Sequence, residues 1–424
     1  MGFFNNNVSV DVRKTTLAET KWFYDEQSGL IVNDRRAFFQ IGGLQIGEIE
    51  QPIIIQNDIG FLGILCKPID GVLHFLMQTK IEPGNVNKTQ ISPTIQATKS
   101  NFNRSHGGDR PAYVDWFLNS KRHRVIVDQI QSEQSSRFLG KRNRNIIVIL
   151  DELAEVEVLP SHMWVTLGQI KSFMRIDNLV NMDSRTVISC IPFFKYHFDS
   201  CGTPLIRSIL HGDQPDITQH IFSYICDYKM FNEDKPKLVP LRTLRNWESI
   251  IRDSIEEFVC KDAYPFKVAF FDISIEGREV GHWGQPLLEA QGISFIGLFT
   301  RVADGVQEFL VHAKAEVGCF DRIELGPTVQ LEAMEEPESD IEKIFYERYA
   351  ANQGVQYDVV LSDEGGRFYH SQNKNIIIEV EPDLIPLPPD GYWWCTYLTL
   401  NKLAQINNIL NIQLRNLLSL LEIS

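Results

Sequence analysis

The stretch that decides the fold runs from residue 61 to residue 98 and reads FLGILCKPIDGVLHFLMQTKIEPGNVNKTQISPTIQAT. Two apolar runs flank Asp70-Gly71, a dipeptide that tolerates the positive φ angles of a tight hairpin turn. After the second run the chain becomes polar and is interrupted by glycine and proline, which is typical of a loop. The stretch therefore predicts a β-hairpin followed by a polar binding rim.

The same stretch occurs again at residues 295–332, where 13 of the 38 positions are identical. The shared positions include the turn, which recurs as Asp304-Gly305. Two later blocks recur with nearly the same spacing: 132–147 as 362–377, and 164–191 as 394–421. A repeat unit of this length is a whole domain, so the chain contains a duplication.

The repeats divide the chain into four predicted segments: an N-terminal arm at 1–21, a first repeat at 22–200, an interdomain segment at 201–246 and a second repeat at 247–424. Strand and helix patterns alternate within each repeat, which predicts an α/β (α+β) fold. Trp164 and Trp394 are predicted core residues at the start of matching helices. The apolar pattern over 398–421 predicts one long helix.

Composition excludes several classes of protein. The net charge of −14 over 424 residues argues against nucleic acid or an acidic membrane surface as partner. The N-terminus lacks a signal-peptide pattern, and no apolar run reaches 18 residues, so we expect no membrane association. Seven cysteines without a CxxC pair predict reduced thiols in the cytoplasm, with no zinc or other metal site.

Lys80 and Glu82 are two residues apart, so both side chains point to one face of a strand. Both recur in the second copy, as Lys314 and Glu316. A buried Glu82 is a candidate base, with Lys80 beside it to stabilise a negative oxygen. A structural ion pair in each copy predicts the same pattern, and Glu133 is a second candidate base.

Basic side chains cluster between two predicted strands, at Arg137, Lys141, Arg142 and Arg144. Guanidinium groups bind phosphate oxygens through two hydrogen bonds at once, so this run predicts a phosphate-binding site. A solvated run of charges between strands is the alternative. Asn143 and Asn145 alternate with the arginines and recur in the second copy, which predicts either a turn or ligand contacts.

The polar segment after the hairpin supplies candidates for hydrogen bonds to a ligand. They are Asn85, Gln90, Thr94, Gln96, Thr98 and Asn101. A solvent-facing strand edge would produce the same alternation. His106 stands in a loop beside two glycines and is either a candidate acid or base or an exposed loop histidine. A second pocket would use the matching residues of the other copy: Lys314, Glu316, Thr328, Gln330, Arg367 and Asn373.

Long ungapped motifs over nearly the whole chain resemble the nucleoside-diphosphate-hexose 2,3-dehydratase family: DGVLHFLMQTKIEPGN, QISPTIQATKSN, DQIQSEQSSRFLGKRNRN and DNLVNMDSRTV. The resemblance implies two tandem Nudix-type α/β/α sandwiches, a homodimer, and a dTDP-linked 4-keto-6-deoxyhexose as substrate. The glutamate-rich metal box of Nudix hydrolases is missing from both halves, which argues against diphosphate hydrolysis.

The reaction implied by the resemblance is an elimination without a cofactor. A base removes the C3 proton, the enolate expels the C2 hydroxyl, and the enol becomes a 3,4-diketo-2,6-dideoxy sugar. We expect the site in the first copy, because it keeps His106 and the basic run, whereas the second copy has an acidic loop with Glu332. A non-catalytic nucleotide-sugar binding protein is the alternative, and a Nudix-like hydrolase is a third hypothesis.

Overall fold

The computed structural model describes residues 7–98, 111–198, 202–277 and 280–423. Within these ranges the chain forms 25 strands and eight α-helices, arranged in four sheets. A small antiparallel meander followed by a larger mixed sheet occurs once in each half of the chain. This confirms the predicted mixture of strands and helices.

Each half begins with a meander of four strands. The first meander contains β2 (Trp22–Asp25), β3 (Leu30–Asn33), β4 (Gln40–Ile46) and β5 (Ile49–Ile55). The second meander contains β14 (Trp247–Arg252), β15 (Ile255–Cys260), β16 (Phe266–Ile275) and β17 (His282–Ala290). Three distant strands join these sheets: β13 (Lys237–Val239) beside β4, β1 (Val10–Thr15) beside β16, and β23 (Phe368–Tyr369) beside β17.

The mixed sheets have corresponding orders, β10-β11-β6-β7-β12 and β22-β24-β18-β19-β25, and each contains one parallel pair, β6 with β11 and β18 with β24. The first sheet consists of β6 (Gly60–Ile69), β7 (Val72–Lys80), β8 (Gln90–Ser92), β9 (Ile95–Ala97), β10 (Arg124–Ser132), β11 (Arg142–Ile149) and β12 (His162–Thr166). The second consists of β18 (Ile293–Ala303), β19 (Val306–Lys314), β20 (Glu324–Gly326), β21 (Val329–Leu331), β22 (Val355–Ser362), β24 (Gln372–Val380) and β25 (Tyr392–Thr396).

Helices of the two halves share the main core between the mixed sheets. In the first half, α1 (Val114–Leu118) packs in a separate cluster, while α2 (Leu167–Met174) and α3 (Met182–Ser189) contribute to the main core. The later ones are α4 (Pro204–His211), α5 (Pro215–Phe231), α6 (Asp340–Ala350), α7 (Tyr397–Leu403) and α8 (Ile412–Leu420), of which α6 packs in a third cluster and the others contribute to the main core. Among the residues described, no helix is both long enough and apolar enough to span a membrane.

Both predicted hairpins are confirmed. Asp70 and Gly71 have φ angles of 50° and 76°, and Asp304 and Gly305 have angles of 49° and 77°. Positive φ at both central residues is what a type I′ turn requires, and its twist matches that of the flanking strands. The turn joins β6 to β7 in the first half and β18 to β19 in the second.

Several predicted elements differ from the structure. Within the predicted N-terminal arm, residues 10–15 form the strand β1, because Val10 and Val12 pack on the second meander. The interdomain segment contains α4, which packs on the second mixed sheet through a hydrogen bond from Ser208 Oγ to the backbone oxygen of Gln307 (2.5 Å). The segment boundaries themselves stay predictions.

The long helix predicted at 398–421 is wrong. Asn411 starts a new helix by accepting a hydrogen bond from the Leu414 N–H, so the segment forms α7 and α8. Trp164 and Trp394 lie on β12 and β25, immediately before the helices, rather than at their first turns. Trp394 is buried, as predicted, while Trp164 is half-buried.

Two buried arginines join the halves. Arg185 on α3 and Arg415 on α8 are both fully buried. Arg185 donates to the backbone oxygen of Ser362 (2.8 Å) at the end of β22, and Arg415 donates to that of Ser132 at the end of β10. Each arginine therefore satisfies a carbonyl of the opposite half, where a buried unpaired charge would be costly.

Candidate active site

A cleft of about 650 Å³ opens between the two meanders and the first mixed sheet. Its walls come from the residues around Trp22 and Phe38 in the first meander and from His282 to Gln285 in the second. Lys80 and Glu82 contribute from the end of β7. The cleft is thus built by both halves of the chain.

A loop of the second half completes this cleft. The segment between β22 and β24 runs over Gly84, whose N–H donates to the Gly365 oxygen (2.7 Å) while its oxygen accepts from the His370 N–H (2.9 Å). A Cβ at Gly84 would lie 1.7 Å from the Phe368 oxygen, so only glycine allows the crossing. The loop thereby carries Glu364 and Arg367 into the cleft.

The first half makes the equivalent crossing over the second half. The segment between β10 and β11 runs over Gly318, which donates to the Ser135 oxygen (2.9 Å) and accepts from the Gly140 N–H (2.7 Å). A Cβ at Gly318 would lie 2.0 Å from the Phe138 oxygen. The two halves therefore exchange loops about a pseudo-twofold arrangement.

Lys80 and Glu82 form an ion pair inside the cleft, with 2.9 Å between Lys80 Nζ and Glu82 Oε1. Gln96 Nε2 also lies 3.3 Å from Glu82 Oε1, and Asn181 Nδ2 holds the Gln96 oxygen at 3.3 Å. These contacts fix the Glu82 carboxylate in one orientation. Of the polar residues predicted after the hairpin, Gln96 and Thr98 both line the cleft.

Besides the exposed Asp34, two carboxyl groups that line the cleft were missed by the sequence reasoning, Asp183 and Glu364. Asp183 lies in the first turn of α3, which Asn181 caps by accepting from the Ser184 N–H (2.9 Å). Burial raises the pKa of Asp183 well above its usual value, and the nearby carboxyls of Glu133 and Glu364 raise it further. Burial also raises the pKa of Glu364, although the Arg367 guanidinium opposes that shift.

Glu133, the second predicted base, lies behind the cleft. Its Oε2 accepts a hydrogen bond from Asn143 Nδ2, and Asn143 itself lines the cleft. Burial, together with the Glu364 charge, raises the pKa of Glu133 to about 7. Lys141 lines the cleft and donates to the Asp58 backbone oxygen, and burial lowers the pKa of Lys141 to about 8.

The predicted arginine cluster does not reach the cleft. Arg142 and Arg144 face away because side chains alternate along β11, and the faces toward the core belong to Asn143 and Asn145. Arg144 pairs with Asp128 (2.6 Å) on the surface, and Arg142 lies over the Phe320 ring, 3.5 Å from its centroid.

Arg137 is carried away from the cleft by the loop exchange. Its guanidinium pairs with Glu332 (2.7 Å) and lies over the Phe266 ring, 4.3 Å from the centroid, both in the second half. The corresponding Arg367 lines the cleft instead, where Nε and Nη2 donate to Gln56 Oε1 at 3.2 and 3.0 Å. The arginine at the first cleft therefore comes from the second repeat.

Several predicted ligand-binding residues are engaged within the protein. Gln90 donates to the Asn178 oxygen (3.0 Å), Thr94 accepts from the Leu65 N–H (2.9 Å), and Asn145 donates to the Asn143 oxygen (3.0 Å). Asn85 is buried beneath the crossing loop, where a Cβ at Gly365 would lie 2.3 Å from its side-chain oxygen. Asn101 and His106 lie outside the described residues.

At the corresponding position of the second half, the space is only about 10 Å³, and the Arg137–Glu332 pair lines it. Around it, Gln330 donates to Glu316 Oε1 (3.0 Å), Lys314 approaches the Gln330 backbone oxygen (3.4 Å), and Asn373 donates to Asp363 (2.7 Å). Thr328 donates to the Leu310 oxygen. Gln330 thus joins Lys314 and Glu316, but none of the six predicted second-pocket residues lines the 10 Å³ space, and Arg367 lies in the first cleft.

The chain matches the family model described as NDP-hexose 2,3-dehydratase at residues 4–191 and 218–421. It is 39% identical over 422 residues to a dTDP-4-dehydro-6-deoxy-alpha-D-glucopyranose 2,3-dehydratase of Saccharopolyspora spinosa, covering 94% of this chain and 85% of the relative. Relatives with the same name from Streptomyces violaceoruber and Amycolatopsis orientalis are 36% and 33% identical, each over 94% of this chain and over 90% and 83% of their own lengths. The cleft with its buried carboxyls thus lies in a chain that belongs to the NDP-hexose 2,3-dehydratase family.

Proposed function

We propose that this chain removes water across C2 and C3 of a dTDP-linked 4-keto-6-deoxyhexose, in the cleft lined by Lys80. The observation that carries this proposal is that Lys80 lines one cleft of a family member together with the carboxyl groups of Glu82, Asp183 and Glu364. The relatives named for this reaction on dTDP-4-dehydro-6-deoxy-alpha-D-glucopyranose support the choice of substrate.

The dehydration requires a base, an acid and a positive charge near the C4 oxygen. The C4 ketone acidifies the C3 proton, so a base converts the sugar to an enolate whose negative charge develops on the C4 oxygen. The Lys80 ammonium, oriented by its 2.9 Å contact with Glu82, is suited to stabilise that oxygen. The enolate expels the C2 hydroxyl, which leaves as water when a carboxylic acid supplies a proton. Low-dielectric surroundings strengthen each of these electrostatic contacts.

The outer part of the cleft suits a nucleotide. Trp22, Phe38 and Trp283 line it, and the partly exposed ring of Trp283 is suited to stack on a base. Lys21 and Arg35 are exposed on the rim, and within the described parts of the chain neither forms an ion pair. Both are available to the diphosphate, a role that we transfer to them from Arg142 and Arg144. His106 remains a proposed contributor.

Three further properties follow from the family resemblance. We infer that each mixed sheet with its helices is a Nudix-type domain, since the duplicated sheets share one order. We also infer a homodimer, for which light scattering should give twice the mass of one chain, and a cytoplasmic location. The proposed second ligand pocket in the second half has less support, because the space there is about 10 Å³.

The test is turnover in D₂O. Purified protein, treated with a chelator, is incubated with dTDP-4-keto-6-deoxyglucose, and the product is analysed by mass spectrometry and NMR. We expect the loss of one water and deuterium at C2, because the enol takes its C2 proton from solvent. Tight binding of an unchanged sugar would instead indicate a binding protein, and release of thymidine monophosphate would indicate a hydrolase.

A further inference from the structure

The two halves provide an internal comparison of one centre with the other. Residues 132–147 align with 362–377, and 164–191 align with 394–421, both at a spacing of 230 residues. The lysine–glutamate pair is kept in both halves. Two carboxyl groups of the first cleft are not kept, because Asp183 corresponds to Gln413 and Glu364 corresponds to Gln134.

The correspondence holds in three dimensions. Asp183 follows the helix cap Asn181 by two residues, and Gln413 follows the cap Asn411 by two residues. Glu364 and Gln134 each begin a turn in which their backbone oxygen accepts a hydrogen bond three residues later, at 3.1 and 3.0 Å. The halves therefore hold the same backbone positions with a carboxyl in one centre and an amide in the other.

Both carboxyls line the open centre, and within the described residues neither accepts a side-chain or backbone hydrogen bond. Asp183 is 2% exposed and lines the cleft, yet its carboxyl forms no hydrogen bond to any described residue. The nearest cation to Glu364 is the Arg367 Nη1 atom at 3.8 Å. A buried carboxyl that stabilises nothing around it is costly, unless a ligand or a reaction uses it.

Gly366 keeps space open between Glu364 and Glu82. A Cβ at this position would lie 2.7 Å from Glu364 Oε1 and 3.4 Å from Glu82 Oε1, so both oxygens border the same small gap. The first centre thus combines the Lys80–Glu82 ion pair with two further carboxyls, whereas the corresponding residues of the second half, Gln413 and Gln134, are amides and the space there is about 10 Å³.

We propose that Asp183 and Glu364 are the acid–base pair of this dehydration, Glu364 removing the C3 proton and Asp183 protonating the departing C2 hydroxyl. This inference rests on the proposed function. The C3–H electron pair moves into the enolate and then expels the C2 oxygen, which leaves as water with the Asp183 proton. The enol hydroxyl returns a proton to Asp183, Glu364 releases its proton to solvent, and C2 takes one from solvent.

The surroundings agree with this division of roles. The Arg367 guanidinium favours the ionised form of Glu364, which a base requires. Burial and three neighbouring carboxyls raise the pKa of Asp183, which favours the protonated form that an acid requires. Neighbouring carboxyls disfavour one another's ionisation, and of these two only Glu364 has an arginine within 4 Å in the described chain.

The test uses the full-length protein with Asp183→Asn and Glu364→Gln, which place amides where the second centre already has them. We expect each to lower kcat by about 10²–10⁴-fold, with the Kd for dTDP within about threefold of the wild type. Glu324→Gln is the matched control. Glu324 is also a buried carboxyl, and its counterpart Gln90 is already an amide, so this variant should keep full activity.

Isotope exchange separates the two roles. Substrate recovered from D₂O should carry deuterium at C3 with Asp183→Asn, whose base is intact, and none with Glu364→Gln. Asp183→Glu and Glu364→Asp keep the carboxyls and should recover part of the activity, which covers the case of an amide variant that fails to fold. Turnover within tenfold of the wild type in both amide variants would overturn the assignment of Asp183 and Glu364 as the acid–base pair, while the proposed dehydratase function would stand. A wild type that does not dehydrate would overturn the proposed function and this inference with it.

Discussion

At the scale of single residues, the two equivalent arginines have exchanged places. Arg367 comes from the second repeat but binds Gln56 and lies over the Phe38 ring in the first cleft, 4.1 Å from its centroid. Arg137 comes from the first repeat but pairs with Glu332 at the closed centre. Equivalence in sequence therefore predicts the kind of contact each arginine makes, while the exchanged loops determine which centre receives it.

Arg367→Ala should lower kcat/KM by about 10²-fold, because Glu364 and the loop backbone lose the group that positions them. Arg137→Ala should leave kcat/KM within about threefold of wild type and lower the melting temperature, since the partly buried Glu332 loses its partner. Steady-state kinetics and thermal unfolding of both variants check this. Equal losses of activity would show that Arg137 also serves the open cleft.

Lys171 gives a pH-dependent prediction away from the cleft. It is buried on α2, its ammonium donates to the Ser419 backbone oxygen, and burial lowers its pKa to about 7. Between pH 7 and about 10 the unfolded lysine holds a proton that the folded one has lost, so this residue makes the free energy of unfolding rise with pH. Lys171→Met should reduce that rise by about 1–3 kcal/mol in denaturant titrations at the two pH values. An unchanged rise would contradict the assignment.

At the scale of elements, the crossing loops build the cleft. Each loop passes over a glycine of the opposite half, Gly84 or Gly318, and backbone hydrogen bonds hold it there. The hairpins that carry these glycines follow from local sequence, since Asp-Gly turns need no distant partner. The crossing itself depends on contacts between residues that are almost 300 positions apart, such as Gly84 with Gly365.

Gly84→Ala should destabilise the protein by about 1–3 kcal/mol, because the new methyl group would displace the Phe368 carbonyl. Glu364 would move with the loop, so kcat should fall as well. Gly318→Ala offers the matched control, with a comparable clash at the Phe138 oxygen but on the closed centre. We expect it to lower the melting temperature while kcat of the remaining folded protein is preserved. A similar fall in kcat for both variants would contradict the separation of the two centres.

At the scale of the whole molecule, the two halves are one cooperative unit. Arg185 and Arg415 each bind a carbonyl of the opposite half, and one apolar core is shared between the mixed sheets. Neither half can unfold without leaving a buried guanidinium and a buried carbonyl unpaired.

Calorimetry should therefore show a single unfolding transition, with the calorimetric enthalpy equal to the van't Hoff enthalpy. Arg185→Leu should lower the melting temperature without splitting this transition, because the Ser362 carbonyl loses its partner while the shared core remains. Two resolved transitions in the wild type would mean that the repeats unfold independently.

The sequence by itself determined the duplication, the two Asp-Gly hairpins and the Lys80–Glu82 pair, because these depend on local patterns or on residues two positions apart. Two further signals were present in it but were not used. The alternation along β11 separates Arg144 from Asn143 and Asn145, and the change from carboxyl to amide between the aligned copies marks Asp183.

Only the tertiary structure decided which groups share the cleft. Glu364 and Arg367 reach it through a loop that crosses between the repeats, and the same exchange removes Arg137. A duplicated sequence is equally compatible with a loop that folds back on its own repeat or onto the other one. The choice depends on the close packing of Gly84 against the Phe368 carbonyl and on the paired arginines of the shared core, which are contacts between distant residues that no local pattern records.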